Sequence, residues 1–417
     1  MNTRSTAARA ISVLAMGSIV ALALAGCARA DTGGGDGDGA AASPGITDDS
    51  ITLGVTTPLS GTTAGPGNCT VAGLVAYFGQ AGPIEFGDGK TREVKVEAFD
   101  DAYDPQKALS NFQQNQDKVF AFTSGLGTPT NRAYREAAIE DEVPQVLVMT
   151  GDPIFSTPSE SPWQLGFVPV YASEGSAFGE LLAESSGEHK VAILSQNDDF
   201  GEGYVEGFKE AIDGADNIEV VAEATYEATD TSVDAQMTEL AASGADVLFN
   251  AMSVTPLTIA AIEKARELSW SPSWFLPSNT SSPGGILAPA GANADDGIYS
   301  VSFSKVPQSP AFAEDEDVQG FLAALKEYSG AYTTEPEFPH CMWSYMVGAT
   351  LEQAFQNMEE PTRENFMESI RNITDFKAPL MLDGTSIDTT QDGQAAVSTV
   401  VVQRYNGQGF ENAESFE

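Results

Sequence analysis

Histidine is nearly absent, with only His189 and His340 in a chain of 417 residues. That scarcity removes most histidine-based metal centres and leaves nucleophile–base triads little to draw on. Basic residues are also few, 20 Lys and Arg against 60 Asp and Glu, for a formal net charge of −40. A field of that sign repels phosphate backbones and anionic headgroups, which argues against nucleic-acid binding. It says little about a small ligand, whose pocket is governed by local groups, and its plainest role is a solubilising surface. Cysteine is limited to Cys27, Cys69 and Cys341. The uncharged run from Ile11 to Ala25 has about 15 residues, short of the roughly 18–20 that a spanning helix needs.

That run follows Arg4 and Arg9 and ends in Leu24-Ala25-Gly26-Cys27. A positive start, a short apolar core and small residues before a cut are the parts of an export signal. The ending resembles the lipobox of bacterial lipoproteins, which implies cleavage after residue 26 and acylation of Cys27. Two acyl chains on one residue hold a protein at a bilayer surface. The expected localisation is therefore extracytoplasmic and lipid-anchored to the cell membrane. Residues 27–45, rich in Gly, Ala and Asp, read as a flexible tether. In an oxidising compartment Cys69 and Cys341 are either a disulfide or two unpaired buried thiols.

Over the whole chain 42% hydrophobic and 9% aromatic residues suffice for ordinary cores, and the length beyond the tether suits two lobes. Apolar runs at 51–57, 94–99, 119–123 and 145–149 alternate with helical patterns. A second series of strands follows at 191–195, 218–225, 246–250 and 274–276. This spacing predicts an α/β chain of two doubly wound, parallel-sheet lobes. The segments 298–303 and 397–405, and the helices between them, lack partners nearby in sequence and must return to the earlier lobes. The expectation is lobe 1 over 46–169 plus 298–394 and lobe 2 over 170–297 plus 395–417. Crossings near 168–172, 296–299 and 393–397 would then form a three-strand hinge around a cleft.

The motifs Ile51-Thr-Leu-Gly-Val-Thr-Thr-Pro-Leu-Ser-Gly61, Asp100-Asp-Ala-Tyr-Asp-Pro105 and Phe200-Gly-Glu-Gly203 occur in this order, with Val191-Ala-Ile-Leu and Ala245-Asp-Val-Leu at matching spacing. Together they resemble the leucine/isoleucine/valine-binding group of type I periplasmic binding proteins, the ligand-capturing lipoproteins of ABC importers. The resemblance implies a ligand held between the lobes, at the carboxyl ends of the strands. It assigns Thr128, Thr130, Thr150 and Gly151 to the first lobe's wall and Ser60 to the rim, with Pro66 near a family aromatic. Tyr171, Phe200, Ser253 and Asn279 would close from the second lobe. It also implies ABC permease subunits as partners, a monomer, no cofactor, no metal and no catalysis. A membrane-tethered sensor of the same fold is the alternative.

One departure bears on the ligand. Amino-acid binders of the family place an acidic side chain after the strand ending at Leu276, where this chain reads Pro277-Ser278-Asn279-Thr280. Without a carboxylate, a ligand ammonium in a closed cleft would cost several kcal/mol. The expected ligand is therefore a small carboxylate, amide or aromatic acid, unless Asp152 stands in. Asp100, Asp101 and Asp104 are better explained by a strand end and a helix N-cap than by a calcium site. Ser302-Phe-Ser-Lys305 lacks the companion motifs of Ser-x-x-Lys enzymes. Cys341 beside His340 reads as half of a disulfide before it reads as a nucleophile.

Overall fold

A computed structural model of the chain describes residues 41–332 and 338–416. The expected signal segment 1–26, the expected anchor Cys27 and the expected tether up to residue 40 lie outside the described residues. In the first lobe the elements are β1 (Ser50–Thr57), α1 (Ala64–Ala81), β2 (Ile84–Glu85), β3 (Thr91–Asp100), α2 (Pro105–Asn115), β4 (Ala121–Thr123), α3 (Thr128–Glu140), β5 (Gln145–Val148) and β6 (Gln164–Gly166). The sheet runs β2-β3-β1-β4-β5-β6, parallel throughout except for β2. Residues Gln145–Val148 are all buried, as expected of a strand covered on both faces by helices. The Asp104 carboxylate caps α2 by accepting from the Gln106 and Lys107 N–H groups, with Pro105 in the first turn.

The second lobe continues with α4 (Tyr171–Ala183), β7 (His189–Gln196), α5 (Asp199–Ala211), β8 (Ile218–Tyr226), α6 (Asp234–Ala242), β9 (Val247–Ala251), α7 (Thr255–Glu267), β10 (Ser273–Leu276) and β11 (Ile298–Ser302). Then follow α8 (Glu316–Tyr328), α9 (Pro339–Gln356), α10 (Arg363–Ile370), β12 (Val401–Tyr405) and β13 (Phe410–Asn412). The second sheet runs β13-β12-β11-β10-β9-β7-β8, with its two last-formed strands antiparallel. Strand order reverses beside β1 in one sheet and beside β7 in the other. Such switch points open a crevice at the carboxyl ends of the strands.

The topology corrects the expected boundary at 298. Strand β11 pairs in parallel with β10, so it belongs to the second sheet and the chain leaves that lobe only after Ser302. The sequence reading missed this because no long helix joins β10 to β11. Short helical turns at Ser278–Thr280, Pro283–Leu287 and Ala294–Asp296 make the crossover instead. The chain passes from β6 to α4 through residues 167–170 and returns to β12 through residues 398–400. Helices α8, α9 and α10 return to the first lobe's core, which Phe321, Met346, Phe355 and Phe366 share with Leu53 and Val55.

Helices α1 and α9 cross tightly, and the Cys69–Cys341 disulfide joins them. A Cβ built on Gly73 would stand 2.0 Å from the Cys341 carbonyl oxygen and 2.9 Å from the Tyr345 nitrogen. Both are backbone atoms that cannot turn aside. Gly73→Ala is expected to push the helices apart and lower stability by about 2–3 kcal/mol, read as a fall in the urea midpoint at constant slope. An unchanged midpoint would show that the two helices can separate freely.

Candidate ligand-binding cleft

The first lobe's wall is built from helix beginnings. Gly127 takes a φ of +109°, open to glycine but rarely to other residues, and turns the chain from β4 into α3. No side chain caps α3, nor α1 at Thr63, nor α9 at Phe338. Thr63, Pro66, Gly127, Thr128 and His340, at those three helix starts, line one cavity. The positive ends of three helix dipoles therefore border the same space, although Pro66, Pro129 and Pro339 supply no N–H in those first turns.

Rings and one acid make the opposite wall. Tyr171 packs on Phe200 and Tyr204 at centroid separations of 4.8 and 4.9 Å. Tyr103 and Trp343 extend the aromatic lining from the first lobe. The Glu174 carboxylate accepts from the Tyr204 hydroxyl at 2.7 Å, the Ser278 hydroxyl at 2.7 Å and the Ser278 N–H at 3.1 Å. Burial pushes its pKa up to about 6, and those donors restrain the rise. Three of a carboxylate's roughly four acceptor positions are thus taken, leaving one. Asn279 Oδ1 and His340 Nδ1 are buried and without a hydrogen-bond partner. Burial drives His340 down to about 3, so it is neutral near pH 7. The cavity between the walls is about 40 Å³, room for water rather than for a small organic molecule, so the walls must part to admit a ligand.

Of the sequence-derived candidates, Pro66, Thr128, Tyr171, Phe200, Ser253 and Asn279 line the cavity. Four others stand behind it. The Ser60 hydroxyl donates to Asp100 at 2.6 Å, and the Thr130 hydroxyl donates back to the Leu126 carbonyl. The Thr150 hydroxyl completes a triangle with Thr128 and the Tyr171 hydroxyl, at 2.9 and 3.0 Å. Gly151 is where the backbone meets the Tyr171 ring. Asp152 does not stand in for the missing acid, because it pairs with Arg132 and caps a turn at Ile154. Glu174, Tyr204, Ser278, Tyr103 and His340 escaped the sequence reading. The i, i+4 spacing of Phe200 and Tyr204 and the i, i+3 spacing of Tyr171 and Glu174 were the available signals, since such pairs share a helix face.

A family model described as "Periplasmic binding protein" matches residues 50–409. The chain belongs to that family. Solved structures give the same fold for this periplasmic binding protein. A substrate-binding periplasmic protein from Ralstonia solanacearum is 19% identical with a TM-score of 0.73, covering 87% of this chain and 100% of its own. A fatty acid ABC transporter substrate-binding protein from Thermomonospora curvata is 18% identical with a TM-score of 0.74, covering 90% and 95%. A solute-binding protein of an ABC transporter from R. palustris, in complex with benzoate, is 19% identical with a TM-score of 0.72, covering 87% and 95%. Comparison with curated proteins finds no match. Among the described residues no helix is long and apolar enough to cross a membrane.

Proposed function

We propose that this chain is a lipid-anchored solute-binding protein, tethered through Cys27, that closes on a small organic acid with a planar or apolar body and delivers it to the permease of an ABC importer. The observation that carries this reading is the uncapped start of α3 opening into an aromatic-walled cavity. Helix N–H groups suit a carboxylate, and the rings of Tyr171, Phe200 and Tyr204 suit a flat body. Pro66, Thr128, Tyr171, Phe200, Ser253 and Asn279 act as contact residues, while Ser60, Thr130, Thr150 and Gly151 hold the wall. The protein works as a monomer, by hinge closure biased toward the liganded state, and makes or breaks no bond. The R. palustris neighbour, in complex with benzoate, is consistent in kind.

Glu174 favours a second reading. Its carboxylate lies against Ser278, the segment where an acidic side chain was missed, and its free acceptor position suits an ammonium or a hydroxyl. An amino acid with an apolar side chain is therefore the competing ligand. A thermal-shift screen of the chain beginning at Ala28, against benzoates, hydroxybenzoates, amides, short carboxylates and amino acids, separates the two. At a thousand times its Kd a ligand stabilises by about 4.1 kcal/mol. Stabilisation by aromatic acids alone supports the first reading, and strong stabilisation by leucine replaces it with the second.

A further inference from the structure

We infer that Tyr103, which lies over the start of α3 and reaches across the cleft, is a lid that sets the size of ligand this protein accepts. The inference deepens the cleft reading above and rests on it. Tyr103 belongs to the first lobe, in the turn between β3 and α2, yet it shares the cavity wall with Phe200 and Ser253 of the second lobe. Its hydroxyl lies beside the side chains of Ser253 and Gln196. Those two are already coupled, the Ser253 hydroxyl donating to Gln196 Oε1 at 2.6 Å and the Tyr226 hydroxyl to the same oxygen at 2.7 Å. A phenol arriving from the opposite lobe therefore meets a prepared polar patch.

The turn is held for this purpose at some backbone cost. Ala102 and Tyr103 are consecutive residues with φ of +50° and +63°, a region that side chains disfavour and that persists only when neighbours impose it. The imposing groups are the two aspartates of the turn. Asp100 accepts from the Ala102 N–H at 2.9 Å, and Asp101, fully buried, accepts from the Tyr103 N–H at 2.8 Å. The landing site is equally specific. A Cβ on Gly127 would come within 2.6 Å of Tyr103 Cε2, so the ring rests where only glycine leaves room. It covers the helix start that would hold the ligand's acid group and closes the cavity on that side.

Two measurements on the mature chain test this. In calorimetric titrations with benzoate and with 4-butylbenzoate, Tyr103→Ala is expected to weaken benzoate at least tenfold and to strengthen the longer acid by a similar factor. Tyr103→Phe, which keeps the ring, should retain the size preference and change benzoate affinity less than fivefold. Small-angle scattering of the ligand-free proteins should show a larger radius of gyration for Tyr103→Ala than for wild type. Equal preference for the two acids in wild type and Tyr103→Ala, with identical scattering, overturns the lid. If wild type binds neither acid yet the alanine variant expands, the ligand-class reading fails and the lid stands. Absence of both binding and expansion overturns both.

Discussion

Replacing Cys69 and Cys341 together by alanine is expected to cost about 4–5 kcal/mol of stability. The bond closes a loop of 272 residues, and in the chain-entropy model the stabilisation grows with the logarithm of loop length. Alanine is the right replacement because both cysteines are fully buried, and serine would bury hydroxyls as well. For a folded body near 375 residues, with about 2.1 cal/mol/K of unfolding entropy per residue, the loss amounts to a Tm decrease of about 5 °C. Ligand binding should weaken too. The bond ties α1 to α9 a few residues from Thr63, Pro66 and His340, which line the cavity from those helices. A double variant that melts within a degree of wild type and binds normally would show that packing around Gly73 alone fixes the two helices.

The parts of this protein legible in its sequence are those encoded by short-range pattern. Strand β9 (Val247–Ala251) reads from five consecutive residues, all of them buried, and α2 reads from an aspartate and a proline at its start. Thr128, Tyr171, Phe200 and Ser253 come from the family resemblance, carried over by position, and they line the cavity, in keeping with the rule that open parallel sheets bind ligands at the carboxyl ends of their strands. Long-range closure was not legible. Nothing local distinguishes Glu174, an acid in the first turn of a helix where the dipole already welcomes it, from a solvated surface group. Its role appears only when Ser278, 104 residues later, turns both its hydroxyl and its N–H toward it. Tyr103 was hidden for a related reason, because the aspartates around it had a sufficient local explanation as strand end and cap. The boundary at β11 failed where a run of short helical turns performed the crossover expected of a helix.

Glu174→Gln is expected to separate the two ligand readings by at least about tenfold in affinity. If the ligand presents an ammonium, the variant leaves that charge buried without its partner, at about 3–5 kcal/mol, and affinity falls at least 100-fold. A neutral hydroxyl donor can still be accepted by the glutamine carbonyl, and the loss stays near tenfold or less. The pH dependence of the unliganded protein gives an independent check. Burial raises Glu174 to about 6 from 4.5, so the folded state holds this proton more tightly than the unfolded chain does. Its contribution is neutral below about pH 4.5. Stability is then lost as pH rises to about 6, reaching a penalty of about 2 kcal/mol that persists above. Glutamine does not titrate, so wild type should lose about 2 kcal/mol relative to Glu174→Gln between pH 4.5 and 7, read from urea midpoints. A pH-independent difference would mean that the three donors around the carboxylate compensate its desolvation fully. In wild type, affinity for an ammonium ligand should fall as pH drops through about 6, where Glu174 takes up its proton and the attraction disappears. An aromatic acid lacking any donor should show the opposite slope, because the same proton removes a negative charge from its cavity.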